Sequence, residues 1–193
     1  MKSAAGLVVA AWVCVSGCAT SAKPAAEEPA RAAPAPLDPQ AVSERVDALL
    51  SASERAASDD EWQRLGPEGL SALERIYADP GSPLSRRARA VSAMGQIGTV
   101  PAQARLQAIV ADEKAPLRTT AVLALGRCAP ERAVPQIAPL LESGDPLLRD
   151  AAAQALGRVS TPEARRALED QLGKEQDPRV REAIQHSLTQ QVP

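Results

Sequence analysis

From residue 83 onward, apolar and polar positions fall into blocks that return at a fixed interval. Arg87-Ala88-Arg89-Ala90-Val91-Ser92-Ala93-Met94-Gly95 is followed 31 residues later by Arg118-Thr119-Thr120-Ala121-Val122-Leu123-Ala124-Leu125-Gly126. After another 31 comes Arg149-Asp150-Ala151-Ala152-Ala153-Gln154-Ala155-Leu156-Gly157, and after 32 an altered copy running from Arg181 to Leu188. The apolar positions in each copy lie three and four apart, the spacing of a helix with one buried stripe. Pro83, Pro116, Pro146 and Pro178 open the copies, with Asp145 and Asp177 directly before the last two. Asp at an N-cap accepts the orphan amide protons of a helix start, and Pro fits the first helical position without losing a bond. Gly95, Gly126 and Gly157 are then expected to supply the left-handed residue that ends each helix.

A second periodic segment lies between the copies. Leu106, Ile137 and Leu168 share the register, as do Val110, Leu141 and Leu172. Pro130, or Thr161 with Pro162, marks where such a helix starts. The unit is therefore helix, turn, helix, turn, and a repeated unit of this length predicts a solenoid. Upstream, Gly66 to Tyr77 reads as the second helix of a first repeat, and Val42, Val46, Leu49 and Leu50 as a capping helix before it.

The Pro-x-x-Arg openings, the Ala-Leu-Gly endings and the segment Ala133-Val134-Pro135-Gln136-Ile137-Ala138-Pro139-Leu140-Leu141 resemble HEAT repeats, most closely the subtype named after phycobilisome lyases. Tetratricopeptide repeats would need Trp and Tyr positions and a longer period, and ankyrin repeats a Thr-Pro-Leu-His motif. The resemblance covers residue 82 to about residue 188. It implies an all-α fold, an α-α superhelix of about four to five helical hairpins over residues 38–191. It also implies that the second helices line the concave face and dock a protein partner, and that pairs such as Asp145 with Arg149 and Asp177 with Arg181 link neighbouring repeats.

The N-terminus carries a different signal. Lys2 precedes an uncharged apolar run from Ala4 to Val15, shorter than the ~20 residues that span a bilayer and suited to a secretory signal peptide. Val15-Ser16-Gly17-Cys18 resembles the lipobox of bacterial lipoproteins, which implies removal of residues 1–17 and acylation of Cys18. Bulky Val13 bars Cys14 from that role. Ordinary cleavage near Ala22 and retention as an uncleaved anchor are the other readings. Ala19 after the cysteine is compatible, by the same resemblance, with an outer-membrane location facing the periplasm. Residues 18–37 are rich in Ala and Pro without periodicity, the composition of a tether. The nineteen residues from Ala19 to Leu37, extended at ~3.1 Å each, would reach roughly 60 Å.

Composition narrows the function. Of 193 residues 39 are Ala, with one Tyr, two Trp and no Phe, which disfavours an aromatic-lined pocket and base stacking. With 22 Lys and Arg against 24 Asp and Glu, there is no basic excess for nucleic acid. His186 is the single histidine and reads as a surface residue, and Cys128 as a half-buried small apolar one. Trp62 reads as a lid over the N-terminal end. No phosphate loop, metal spacing or nucleophile set is recognisable.

These expectations follow: no catalytic residue, no metal, no cofactor, no small-molecule substrate, and no enzyme. The column Arg87, Arg118, Arg149, Arg181 is read as structural, with binding of an acidic partner as the rival reading. Val134, Pro135, Ala138 and Pro139, flanked by Arg165 and Arg166, are the candidate docking patch, with helix packing as the rival. The function expected is an envelope scaffold that binds a protein and is anchored to the membrane by lipid. The alternatives are a bilin-lyase-like enzyme or accessory, or a structural subunit of an envelope assembly.

Overall fold

The computed structural model describes residues 38–52, 57–159 and 161–191, so Cys18 and the expected tether lie outside the described residues. Among those described, every regular element is helical. In order they are α1 (Pro39–Ser51), α2 (Asp59–Gln63), α3 (Gly66–Ala78), α4 (Leu84–Ile97), α5 (Val100–Ala111), α6 (Arg118–Cys128), α7 (Pro130–Ile137) continued by a 3₁₀ turn (Ala138–Glu142), α8 (Pro146–Gly157), α9 (Pro162–Lys174) and α10 (Pro178–Gln190). The fold is an all-α helical-repeat solenoid.

Two layers build it. The first helices α4, α6, α8 and α10 stack directly on one another, with α2 against α4 at the start. The second helices α3, α5, α7 and α9 lie across them; α3, α5 and α9 rest more heavily on the first helix that follows than on the one before, and α7 does so through its 3₁₀ turn. Contacts between second helices are sparse.

The close stacking explains the glycines and corrects their expected role. Gly95 and Gly126 sit inside α4 and α6, and Gly157 is the last residue of α8. The left-handed cap of α4 is Gly98, at φ 68°. A Cβ on Gly95 would lie 2.7 Å from the Ala124 carbonyl oxygen, one on Gly126 2.9 Å from the Ala155 Cβ, and one on Gly157 2.6 Å from the Ser187 Cβ. Each glycine thus receives the small residue that stands six places after the ladder arginine of the next repeat. Backbones approach there as no side chain would allow.

Helix starts follow the sequence in part. Asp145 and Asp177 accept from the amides of Leu147 and Arg179, with Pro146 and Pro178 in the first turn. Thr99 and Thr161 cap α5 and α9 in the same manner. Pro83, however, is itself the N-cap of α4, and Pro116 lies two residues before α6. The unforeseen α2 rests on a capping box: Ser58 accepts from the Glu61 amide while the Glu61 carboxylate accepts from the Ser58 amide. It places Trp62, 3% exposed, in the core beneath α1 and α4. Arginines then hold α1 down: Arg75 donates to Ser43 at 2.9 Å, and Arg86 and Arg89 reach Asp47 and the Leu50 carbonyl.

The middle second helix is broken. Pro135 has no N–H for the Glu131 carbonyl, and Pro139 none for that of Pro135. The α-helix stops at Ile137 and tightens to a 3₁₀ turn.

The glycine column generates a paired stability test. Gly95→Ala forces a contact with unyielding backbone, costing ~1–3 kcal/mol against ~1 kcal/mol gained in helix propensity. Gly173, in α9, has open space around its Cβ position, so Gly173→Ala gains up to ~1 kcal/mol. Thermal melts should show the first variant falling and the second rising, by ~2–4 °C per kcal/mol. Equal behaviour of the two would refute the packing role.

Candidate interaction surfaces

The arginine column is spent on the stack. Arg87 Nε donates to the Tyr77 carbonyl at 2.8 Å and Arg118 Nε to that of Val110 at 2.7 Å. Arg149 Nη1 donates to the Ser143 carbonyl at 2.8 Å, and Arg181 Nη1 to those of Leu172 and Glu175 at 3.0 and 2.9 Å. Each ladder arginine therefore supplies donors to orphan carbonyls at the end of the preceding second helix, where a cation also suits the helix dipole. Tyr77 adds a stacking site at the start of the column, its ring 5.6 Å from both the Arg87 and the Arg105 guanidinium carbons.

The acid that meets Arg149 is Glu175, not the expected Asp145, whose carboxylate caps α8. Arg149 Nε and Nη2 each donate to a Glu175 carboxylate oxygen at 2.9 Å. Gln171 Nε2 and the amides of Gln176 and Asp177 donate to the same carboxylate at 3.0, 3.1 and 3.0 Å. The Arg149 hydrogen bonds chiefly hold the buried carboxyl down to about 2, against the opposing effect of its burial. Sequence inspection missed Glu175 because it stands in a loop outside the 31-residue register. Its one signal was its position two residues before the capping Asp177.

The structure removes one residue from the expected docking patch on the second helices. Val134 is 8% exposed and belongs to the core, which removes it from any surface. Its register partners Gln103 and Arg165 are polar, whereas Val134 closes over the core next to buried Ala133 and Ile137. Pro135 and Pro139 are exposed and Ala138 half-buried. Arg165 and Arg166 are exposed on α9, with Arg165 paired to Glu169 at 2.9 Å.

Cys128 is half-buried at the end of α6, and burial pushes its thiol above the ordinary range. It borders a notch of about 280 Å³ beside exposed Val100. His186 is exposed on α10, with the Gln190 amide nitrogen 2.8 Å from its Nε2. Among the described residues, no group of three or more His, Cys, Asp or Glu is arranged to hold a metal ion.

A groove of about 770 Å³ between α8 and α10 has no counterpart among the residues expected from the sequence. Its walls include Asp150 and Gln154 of α8, Arg158 at the C-cap of that helix, and Glu182, His186 and Gln190 of α10. The signal was present as two i, i+4, i+8 lines in register, polar on both helices.

Comparison with known proteins agrees with the repeat architecture. The family model for HEAT repeats matches residues 102–189, and that for the PBS lyase HEAT-like repeat matches residues 86–112. No curated protein matches. A solved structure of human deoxyhypusine hydroxylase in complex with glycerol aligns at a TM-score of 0.52 with 24% identity, covering 80% of this chain and 63% of that one. The chain thus spans less than two thirds of that enzyme's length. HEAT repeats generally mediate protein–protein interaction. The expectation that this is not an enzyme is corrected by the same findings: deoxyhypusine hydroxylase is an enzyme on the same helical-repeat fold, and the PBS lyase match points the same way.

The Arg149–Glu175 clasp sets a pH dependence. Because the folded carboxyl titrates at about 2 against an ordinary 4.5, its contribution is complete above pH ~4.5 and is lost as pH falls toward 2. Glu175→Gln should lower stability at neutral pH by about 3 kcal/mol and remove that part of the acid-limb slope in denaturant melts. A slope unchanged from the parent would show that Glu175 is not its source.

Proposed function

We propose that the chain is a scaffold anchored by lipid at Cys18 in the bacterial cell envelope, binding a protein segment on its helical-repeat surface. The observation that carries the reading is a division of labour in the described residues. The glycine and arginine columns are consumed in holding the stack, while the outward rows on both layers remain solvent-exposed. A rigid array with free outward rows presents binding groups and rearranges little on binding. The Val15-Ser16-Gly17-Cys18 sequence supports the anchor. Two or three acyl chains, at ~0.8 kcal/mol per buried CH₂, hold a protein stably on a bilayer, and the tether would set its reach. Confinement near other envelope proteins raises their effective concentration, so modest affinity suffices.

A second reading, a bilin-lyase-like enzyme or accessory, is favoured by the PBS lyase match over residues 86–112. An absorbance scan after offering bilin separates the two: a new bound-chromophore band supports the lyase reading.

Mass spectrometry of the N-terminal peptide should show Cys18 diacylglyceryl-modified and residues 1–17 absent, and Cys18→Ala should shift the protein to the soluble fraction. A free thiol or a cut near Ala22 would overturn the anchor. Crosslinking in intact cells followed by affinity capture should recover a protein partner. Arg166→Glu, at an exposed position, is the surface variant to compare, since Val134 now lies in the core.

A further inference from the structure

The groove between α8 and α10 has a charge pattern along its length. Positions one, five and nine after each ladder arginine project along one line of a first helix, because residues four apart share a face. On α8 that line reads Asp150, Gln154 and, at the C-cap, Arg158, and on α10 Glu182, His186, Gln190. First helices run in the same direction, so Asp150 and Glu182 stand together at one end and Arg158 at the other. Eight residues separate the first and third positions, ~12 Å of helix at ~1.5 Å each.

Two of these charges, Arg158 and Glu182, are not spent on the fold, and the third, Asp150, accepts only from its helix neighbour Gln154, whose Nε2 donates at 2.9 Å. Among the described residues the side chains of Arg158 and Glu182 have no hydrogen-bond or ion-pair partner. In contrast, Arg149 of α8 and Arg181 of α10 are engaged by carbonyls of the preceding repeat, and Arg149 also by Glu175. The volume, about 770 Å³, lies in the range of ligand sites, but those are mostly apolar and this lining is polar. There is no aromatic platform for a base or a sugar among the lining residues. Arg179, three residues before Glu182 on α10, also lines the groove and leaves the acidic end with two carboxylates against one guanidinium, room for a single cation.

We propose that this groove binds an extended peptide segment of a partner protein, with a cationic side chain at the Asp150–Glu182 end and a carboxylate at Arg158. An extended chain advances ~3.3 Å per residue, so about four residues span the ~12 Å and the two charges stand three residues apart. Gln154 Nε2 already meets Asp150 at 2.9 Å and Gln190 Nε2 meets His186 Nε2 at 2.8 Å, which leaves each amide its oxygen and second N–H for the pairing a peptide backbone offers. The proposal deepens the scaffold reading by naming a site and a partner chemistry, and rests on that reading for its biological use.

The test uses purified full-length protein and synthetic peptides, followed by NMR of the glutamine side-chain amides. Acetylated and amidated Lys-Ser-Ser-Glu should shift the Gln154 and Gln190 resonances saturably, whereas tetraserine and Lys-Glu-Ser-Ser should bind about threefold to fivefold more weakly, the range of one exposed ion pair. Arg158→Glu should weaken Lys-Ser-Ser-Glu by a similar factor and favour Lys-Ser-Ser-Lys instead. No saturable shift at about 20 mM peptide, roughly twenty times a ~1 mM dissociation constant, would overturn the proposal. So would equal binding of tetraserine, or an Arg158→Glu protein that keeps the parental preference. Failure here with a partner still captured by crosslinking defeats the groove alone. Failure to capture any partner defeats the scaffold reading.

Discussion

How closely two first helices can approach governs this solenoid. Three glycines remove the one carbon that would keep α4 from α6, α6 from α8 and α8 from α10, and Ala124, Ala155 and Ser187 fill the gap. A glycine within a helix costs about 1 kcal/mol relative to alanine, so its recurrence in register requires a compensating contact. The contact is backbone against backbone, where dispersion is dense and no rotamer entropy is lost. In α10 the same column holds Thr189, and no described helix stacks on that face.

Once the first helices are set, the second helices need their ends closed, and the arginine column does this. Each guanidinium reaches back to carbonyls that the helix itself cannot satisfy. Every repeat therefore completes its predecessor, and stability resides in nearest-neighbour interfaces more than in isolated hairpins. Glu175 strengthens one such interface by binding Arg149 in two places while also fastening the loop that leads into α10. Removal of either partner leaves a charge with poor access to water, which is why a buried pair is costly to break.

Periodicity made the architecture readable: recurrent Pro, Asp, Arg and Gly delimited the helices, and aliphatic residues in register marked the core. The glycines illustrate the limit of such reading. A left-handed cap and a tight helix crossing both call for glycine, and only the position of the helix end separates them. Val134 was misplaced because a 31-residue register aligns residues without fixing how deeply a helix sits, and α7, interrupted by Pro135 and Pro139, buries a residue where its neighbours carry Gln103 and Arg165. Glu175 and α2 have no counterparts in the other repeats, so a search for repetition passes over them. The α8–α10 groove needed the pairing of two helices that are 32 residues apart, although each of its polar lines was visible alone.

The inequality of the two layers has a mechanical consequence. Contacts among the first helices are close and nearly incompressible, whereas second helices barely touch one another. Deformation of the described stack is therefore easiest by fanning the second helices about a spine whose length hardly changes. The spine behaves as a hinge line and the outer layer as its compliant side, with the proline-interrupted α7 at its centre. A ligand bridging neighbouring second helices would set the opening of the fan, while one held along the spine would find spacings that scarcely vary.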